Sequence, residues 1–244
     1  MLRSLGVIFL CLTPLAAYDR GVQNFNQWFA YWGDNRIGTS KWGVHLDGHI
    51  RRADFFSQRQ QFLVRPGFNY YVNKKLTLQG AFTWLPTYRY GAAPGNPQTE
   101  HRIWEQAVFQ HTKGKIQWFH RGRFEQRWLS RRYVDGANGP ANRVFEQRVR
   151  YTARATLAIK GPWYWSLGNE IFFPIPPENH PAIVDQHRTQ FTVGKRLSPD
   201  VRLEVYYMYQ NIWQRNGRIR EDNHTVGLAL WNAMPLGTML KRLH

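Results

Sequence analysis

Between Trp118 and Trp128 the chain alternates without a break: Phe119, Arg121, Arg123, Glu125 and Arg127 fall on one parity, and Trp118, His120, Gly122, Phe124, Gln126 and Trp128 on the other. Successive side chains of a strand point to opposite faces, so a run of this length reads as an extended strand with one ionised side. The next run repeats the design. Phe145, Val149, Tyr151, Ala153, Ala155, Leu157 and Ile159 share one face, with Gln147 as the exception, while Glu146, Arg148, Arg150, Thr152, Arg154 and Thr156 share the other. Two such strands side by side make a wall that is oily on one face and charged on the other.

Helical periodicity is scarce elsewhere, and the same reading gives about eleven strands: 25–32, 41–52, 60–72, 76–87, 102–111, 115–128, 144–160, 163–173, 187–197, 201–213 and 224–232. Most reach the roughly 9–11 residues that a tilted membrane strand needs, beyond the roughly 5–6 common in soluble sheets. Short connections with turn residues (72–75, 112–115, 160–162, 197–200) alternate with long ones (52–59, 88–101, 129–143, 174–186, 214–223). The Pro/Gly-rich stretches 91–97, 135–140 and 174–177 fall in the long set. This rhythm is expected of an all-β, closed, antiparallel up-and-down transmembrane β-barrel. An odd count is awkward for antiparallel closure, so the expectation is about 10–12 strands, with residues 18–26 as one candidate for a further strand.

Composition narrows the alternatives. The 244 residues carry 33 Lys+Arg against 16 Asp+Glu, a formal +17, with 16% aromatics and 11 Trp. So many aromatics argue against disorder, and a single Cys excludes a disulfide scaffold. Beyond residue 17 no apolar run approaches the ~20 residues of a spanning helix. A mean hydropathy of −0.56 suits a barrel, because only alternate residues need face lipid. Trp42, Trp84, Trp104, Trp118, Trp128, Trp163, Trp213 and Trp231 lie near strand ends, where barrels carry interfacial aromatic girdles.

Residues 1–17 have Arg3, an apolar stretch over 5–12 and Ala16-Ala17, the layout of a cleavable secretory signal. Residues 18–244 are then a single barrel domain in the bacterial outer membrane. Cys11 lacks a small residue before it, which argues against a lipoprotein site.

The runs at 100–106, 121–127, 148–154, 165–174, 185–197 and 224–228 resemble a bacterial outer-membrane β-barrel family known as domain of unknown function 2490. The resemblance extends over about residues 24–232. It implies an exported barrel and brings no catalytic residues to transfer. The C-terminus departs from many outer-membrane proteins in ending Lys-Arg-Leu-His rather than in an aromatic residue.

The candidate site is the charged face. Arg121, Arg123, Glu125 and Arg127 on one strand, and Glu146, Arg148, Arg150 and Arg154 on the next, would point into the lumen together; Glu170, Arg188, Arg202 and Glu204 share the polar parity of their own strands. Two readings compete: interlocked salt bridges plugging a narrow lumen, or an arginine-rich lining that favours anions. His45-x-Asp47-x-His49 places its members on one strand face, but the outer two lie about 13 Å apart, too far for one zinc site. No metal and no cofactor are expected. Among the five serines beyond residue 17, Ser166 has lumen parity and His187 the opposite one, so no Ser–His pair stands out and no catalytic residue is assigned.

Expected partners are outer-membrane lipid, lipopolysaccharide phosphates at basic loop residues (Arg131, Arg132, Arg215, Arg218, Arg220), and small anions in the lumen. Nucleic acid is not expected, given the export signal and charge spread over almost every strand. The competing functions are a lipid-acting barrel enzyme of phospholipase type and a soluble, exported basic β protein that binds anionic polymers.

Overall fold

A computed structural model describes residues 20–91, 98–131, 142–176, 182–213 and 219–241. The expected export segment and positions 132, 215 and 218 lie outside the described residues, as do most of the loop stretches 91–97 and 135–140. Eleven strands are described: β1 (Arg20–Arg36), β2 (Trp42–Ala53), β3 (Gln58–Tyr71), β4 (Leu76–Thr87), β5 (Gln98–Lys113), β6 (Ile116–Arg131), β7 (Asn142–Ala158), β8 (Trp163–Ile175), β9 (Gln186–Arg196), β10 (Val201–Trp213) and β11 (Ile219–Asn232). Each pairs with its sequence neighbours, and β1 pairs with β11, closing the barrel.

The closure resolves the parity of the strand count. Antiparallel neighbours alternate in direction, so a closed ring of them needs an even number; with eleven, the first and last strands run the same way. The β1–β11 seam is accordingly parallel, from Arg20↔Ile219 to Gly33↔Asn232, and every other pair is antiparallel. Residues 20–26 add length to β1 instead of forming a twelfth strand. A parallel ladder satisfies the backbone as an antiparallel one does, so no edge is left open. At the seam Phe29 stands opposite Leu228, both facing outward. Cysteines at these two positions are expected to cross-link under mild oxidation, because paired strands place Cα atoms within disulfide range. Failure to cross-link, read by non-reducing electrophoresis, would argue against parallel closure.

The turns between β1 and β2, β3 and β4, β5 and β6, β7 and β8, and β9 and β10 gather at one end of the barrel. The opposite end carries the remaining connections. One of these is shorter than the expected 52–59: it closes over residues 54–57, with Asp54, Phe55 and Phe56 all at positive φ. That conformation is costly for side chains other than glycine, and two neighbours hold it. Arg52 donates twice to the Phe56 carbonyl (3.0 and 2.6 Å), and the Gln27 carboxamide oxygen accepts from the Phe56 N–H (3.0 Å).

Side-chain parity follows the expected division. Outside stand Phe25, Ile50, Phe68, Ile103, Phe145, Val205 and Val226, among others. Trp42, Trp118 and Trp163 lie outward at the short-turn end, and Trp84 and Trp128 outward near the other. Three of the tryptophans expected in the girdles are interior instead: Trp104 is fully buried against His45 and Arg123, and Trp213 and Trp231 line the lumen. Strand-end position does not distinguish the two faces; parity does so for Trp104 and Trp231, whereas Trp213, at the end of β10, shares the parity of the outward Val205 and Tyr207 and is buried all the same. The outward exception Gln147 lies across from another outward glutamine, Gln126.

Beyond β11, α1 (Leu236–Lys241) begins at the short-turn end. The chain leading to it is tied to β1, where the Asn35 carboxamide donates to the Met234 carbonyl (2.8 Å).

Candidate functional site: the arginine-lined lumen

All twelve charged residues expected to share the lumen point inward and engage in ion pairs. Glu125, fully buried on β6, is the centre. Its carboxylate accepts from Arg148 (2.6 Å) and Arg150 (2.6 Å), with Arg102 at 3.5 Å and Arg123 at 3.7 Å. The register explains this, since Glu125 lies directly opposite Arg148, and Arg150 opposite Arg123. One strand further, Glu170 accepts from Arg150 (2.7 Å), Arg121 (2.8 Å) and Arg188 (3.2 Å), and from the Thr152 hydroxyl (2.9 Å). Arg127 bridges Glu100 (2.5 Å) and Glu146 (3.1 Å). Glu204 accepts from the Tyr164 hydroxyl and the Trp231 indole N–H, both 2.7 Å, with Arg154 and Arg202 at 3.6 and 3.5 Å.

Aromatic rings support the guanidiniums from behind. Arg123 lies over Trp104 (3.9 Å), Arg202 over Trp231 (4.5 Å), and Arg148, Arg150 and Arg188 all within 5 Å of the Phe172 ring centre. A guanidinium over an aromatic face recovers part of its lost hydration, which lets a cation as buried as Arg123 persist with two nitrogens lacking acceptors.

Several members of this network carry no distinctive signal in the sequence. Glu100 and Arg102 form a two-bond pair along β5 (2.5 and 2.9 Å) and join Arg127. Their parity with Trp104 conceals them, because a tryptophan near a strand end reads as a membrane-interface residue, whereas Trp104 is buried in the interior. Arg65 donates to Asp47 (2.6 Å), between the two histidines of the 45/47/49 run. His45 is held by Asp34 (2.7 Å) and lies 3.4 Å from Asp47. The three do share a face, as the alternation requires. Their contacts go to Arg65, Asp34 and each other, and among the described residues no cluster is arranged to hold a metal.

The interior retains a cavity of about 500 Å³. Nine arginines and six carboxylates line it among the described residues: Arg51, Arg65, Arg102, Arg121, Arg127, Arg148, Arg150, Arg154 and Arg188 against Glu100, Glu146, Glu170, Asp185, Glu204 and Glu221. Towards the short-turn end the lumen is packed by a polar cluster in which Asn69 and Gln79 donate to Asp34 (3.0 and 2.9 Å), and Gln106 donates to Gln79. At the opposite end the segment after β4 folds inward. The Gly91 N–H donates to Gln58 (2.8 Å), and Gly91, at φ +63°, packs so closely on Asn24 that a Cβ would lie 2.1 Å from its oxygen. Tyr90 lines the cavity there. Burial, reinforced by Glu221, pushes its phenol above the usual range, so it stays protonated.

Ser166 is inward and buried, while His187 is outward and bonded to Asn169 (2.8 Å), so the wall separates them. Arg220, one of the basic loop candidates, is paired with Asp222 (2.9 Å).

In fold, the chain is similar to the solved structure described as "NanC porin structure in rhombohedral crystal form", with a TM-score of 0.50 and 11% identity over 86% of this chain and 99% of that one. A second match is OccK11 (OpdR) of Pseudomonas aeruginosa, with a TM-score of 0.29 and 11% identity over 74% and 72% of the two chains. No curated protein matches the sequence. Residues 25–221 match the family described as "Protein of unknown function (DUF2490)", and the chain belongs to that family.

Proposed function

We propose that this protein is a non-catalytic outer-membrane barrel whose lumen gives small anions a favoured path. The observation that carries the reading is the imbalance of charge around the cavity, nine guanidiniums to six carboxylates. Low-dielectric walls focus such an excess and raise the local concentration of the opposite sign. An outer face of Phe, Val, Leu and Ile with tryptophans towards both rims supports membrane insertion. The long connections would face outward, where Arg220 and its neighbouring loop could meet lipopolysaccharide phosphates.

Bilayer recording tests the reading. In a tenfold KCl gradient near neutral pH, the reversal potential of the reconstituted barrel is expected to report chloride preference. Cation preference would overturn it. Absence of conductance would instead favour an envelope-structural barrel, a reading supported by the carboxylates of Glu100, Glu125 and Glu170, each bound by at least two arginines.

A further inference from the structure

Within this lumen, arginines repeatedly offer the same edge, Nε with Nη2, to a glutamate. Arg102 and Arg127 do so to Glu100, Arg148 to Glu125, and Arg150 to Glu170. Arg121 and Arg154 leave Nε without an acceptor but still pair with a carboxylate, whereas Arg51 is the one arginine lining the cavity with no ion pair among the described residues. It is 8% exposed and lines the cavity from β2. Its Nη1 donates to the Gln61 carboxamide oxygen (2.6 Å), and its guanidinium lies 3.8 Å over the Trp28 ring. The Nε–Nη2 edge finds no acceptor among the described residues, and no carboxylate there pairs with it.

The surroundings make that vacancy costly. Arg188 and Arg65 both repel the Arg51 guanidinium. Arg65 is matched by Asp47. Arg188, 5.6 Å from the same Trp28 ring, has one bond to Glu170, which two other arginines already share. With the Gln186 amide turned to satisfy its neighbours, the Nε–Nη2 edge of Arg188 meets a neutral oxygen. Two guanidiniums thus flank one indole, and among the described residues the one carboxylate bonded to either of them, Glu170, pairs with Arg188 and not with Arg51.

We propose that Arg51 and Arg188 form a binding site for a small organic carboxylate passing through the lumen. The site deepens the anion-path reading and rests on it for its role in transit. A planar carboxylate matches the open edge with two parallel bonds, as the glutamates match Arg102 and Arg127. Its single charge also suits one uncompensated cation better than a phosphate dianion does.

The test uses the full-length barrel in detergent micelles and 4-fluorobenzoate, followed by fluorine NMR line broadening. Saturable broadening is expected, at least tenfold weaker for Arg51→Gln, weaker for Arg188→Gln, and unchanged for Arg220→Gln on the outer face. Arg51→Lys keeps the charge without the planar fork, and is expected to lose most of the binding while retaining the heat-dependent gel mobility of the parent. Unlabelled benzoate should displace the probe, and equimolar inorganic phosphate should not. Equal binding by parent and both Arg51 variants, or displacement by phosphate as effective as by benzoate, overturns the proposal. Anion-selective conductance with Arg51-independent binding would reject this site alone, whereas Arg51-dependent binding without conductance would reject the anion path and keep the site.

Discussion

Glu125→Gln is expected to destabilise the barrel by about 3–5 kcal/mol, the cost of leaving buried charge uncompensated. The residue is fully buried, and Arg148 and Arg150 both donate to it at 2.6 Å. An amide has nearly the same shape but presents one acceptor oxygen and removes the negative charge. Arg148 would then keep no carboxylate partner among the described residues, while Arg150 would keep Glu170. Arg102 and Arg123 lose a nearby counter-charge as well. Denaturant unfolding in micelles, followed by gel mobility, measures the loss. Adding Arg148→Gln to Glu125→Gln should recover part of it, because the stranded cation is then gone. A loss under about 1 kcal/mol would mean that water compensates these arginines and that the network is not the centre of the wall.

The second large effect concerns selectivity. Arg154→Glu combined with Arg188→Glu changes the cavity lining from nine arginines and six carboxylates to seven and eight. Both side chains are partly accessible, and each has one carboxylate partner among the described residues, Glu204 at 3.6 Å or Glu170 at 3.2 Å. The exchange therefore disturbs the buried centre around Glu125 less than any change to Arg148 or Arg150 would. If the barrel conducts, the reversal potential is expected to change sign at 0.1 M salt. The difference should shrink at 1 M, where the screening length falls to about 3 Å. An unchanged potential would place the selecting charges outside the cavity lining.

The pairing of β6 with β7 was legible because strict alternation assigns every residue a face, and consecutive strands of an up-and-down barrel are neighbours even across a long connection such as 129–143. Glu125 and Arg148 therefore had to share the inner face of neighbouring strands, and the β6–β7 register sets them opposite each other. Arg51, Arg65, Glu100 and Arg102 were harder to see, since each lies on a strand where aromatic or polar residues occupy both parities. Trp104 illustrates the difficulty: a tryptophan near a strand end serves equally as a membrane-interface residue or as the flat support for a buried guanidinium, and only the strand's register separates the two. The inward fold of residues 88–91 had no sequence signal beyond Gly91 itself, whose close approach to Asn24 joins β1 to the β4–β5 connection.

The amino-acid order determined the strands, their two faces and the compartment of each charge, because the pleat turns a period of two into inside and outside without reference to the rest of the chain. The tertiary structure decided how the ring closes and which charges are left over. Eleven strands can close only by setting β1 parallel to β11; the β1–β2 register already places Trp28 opposite Arg51, and the closure brings that ring within reach of Arg188 on β9. Compensation of a buried charge depends on distances across a lumen, between residues far apart in sequence, and those distances exist only once the wall is closed.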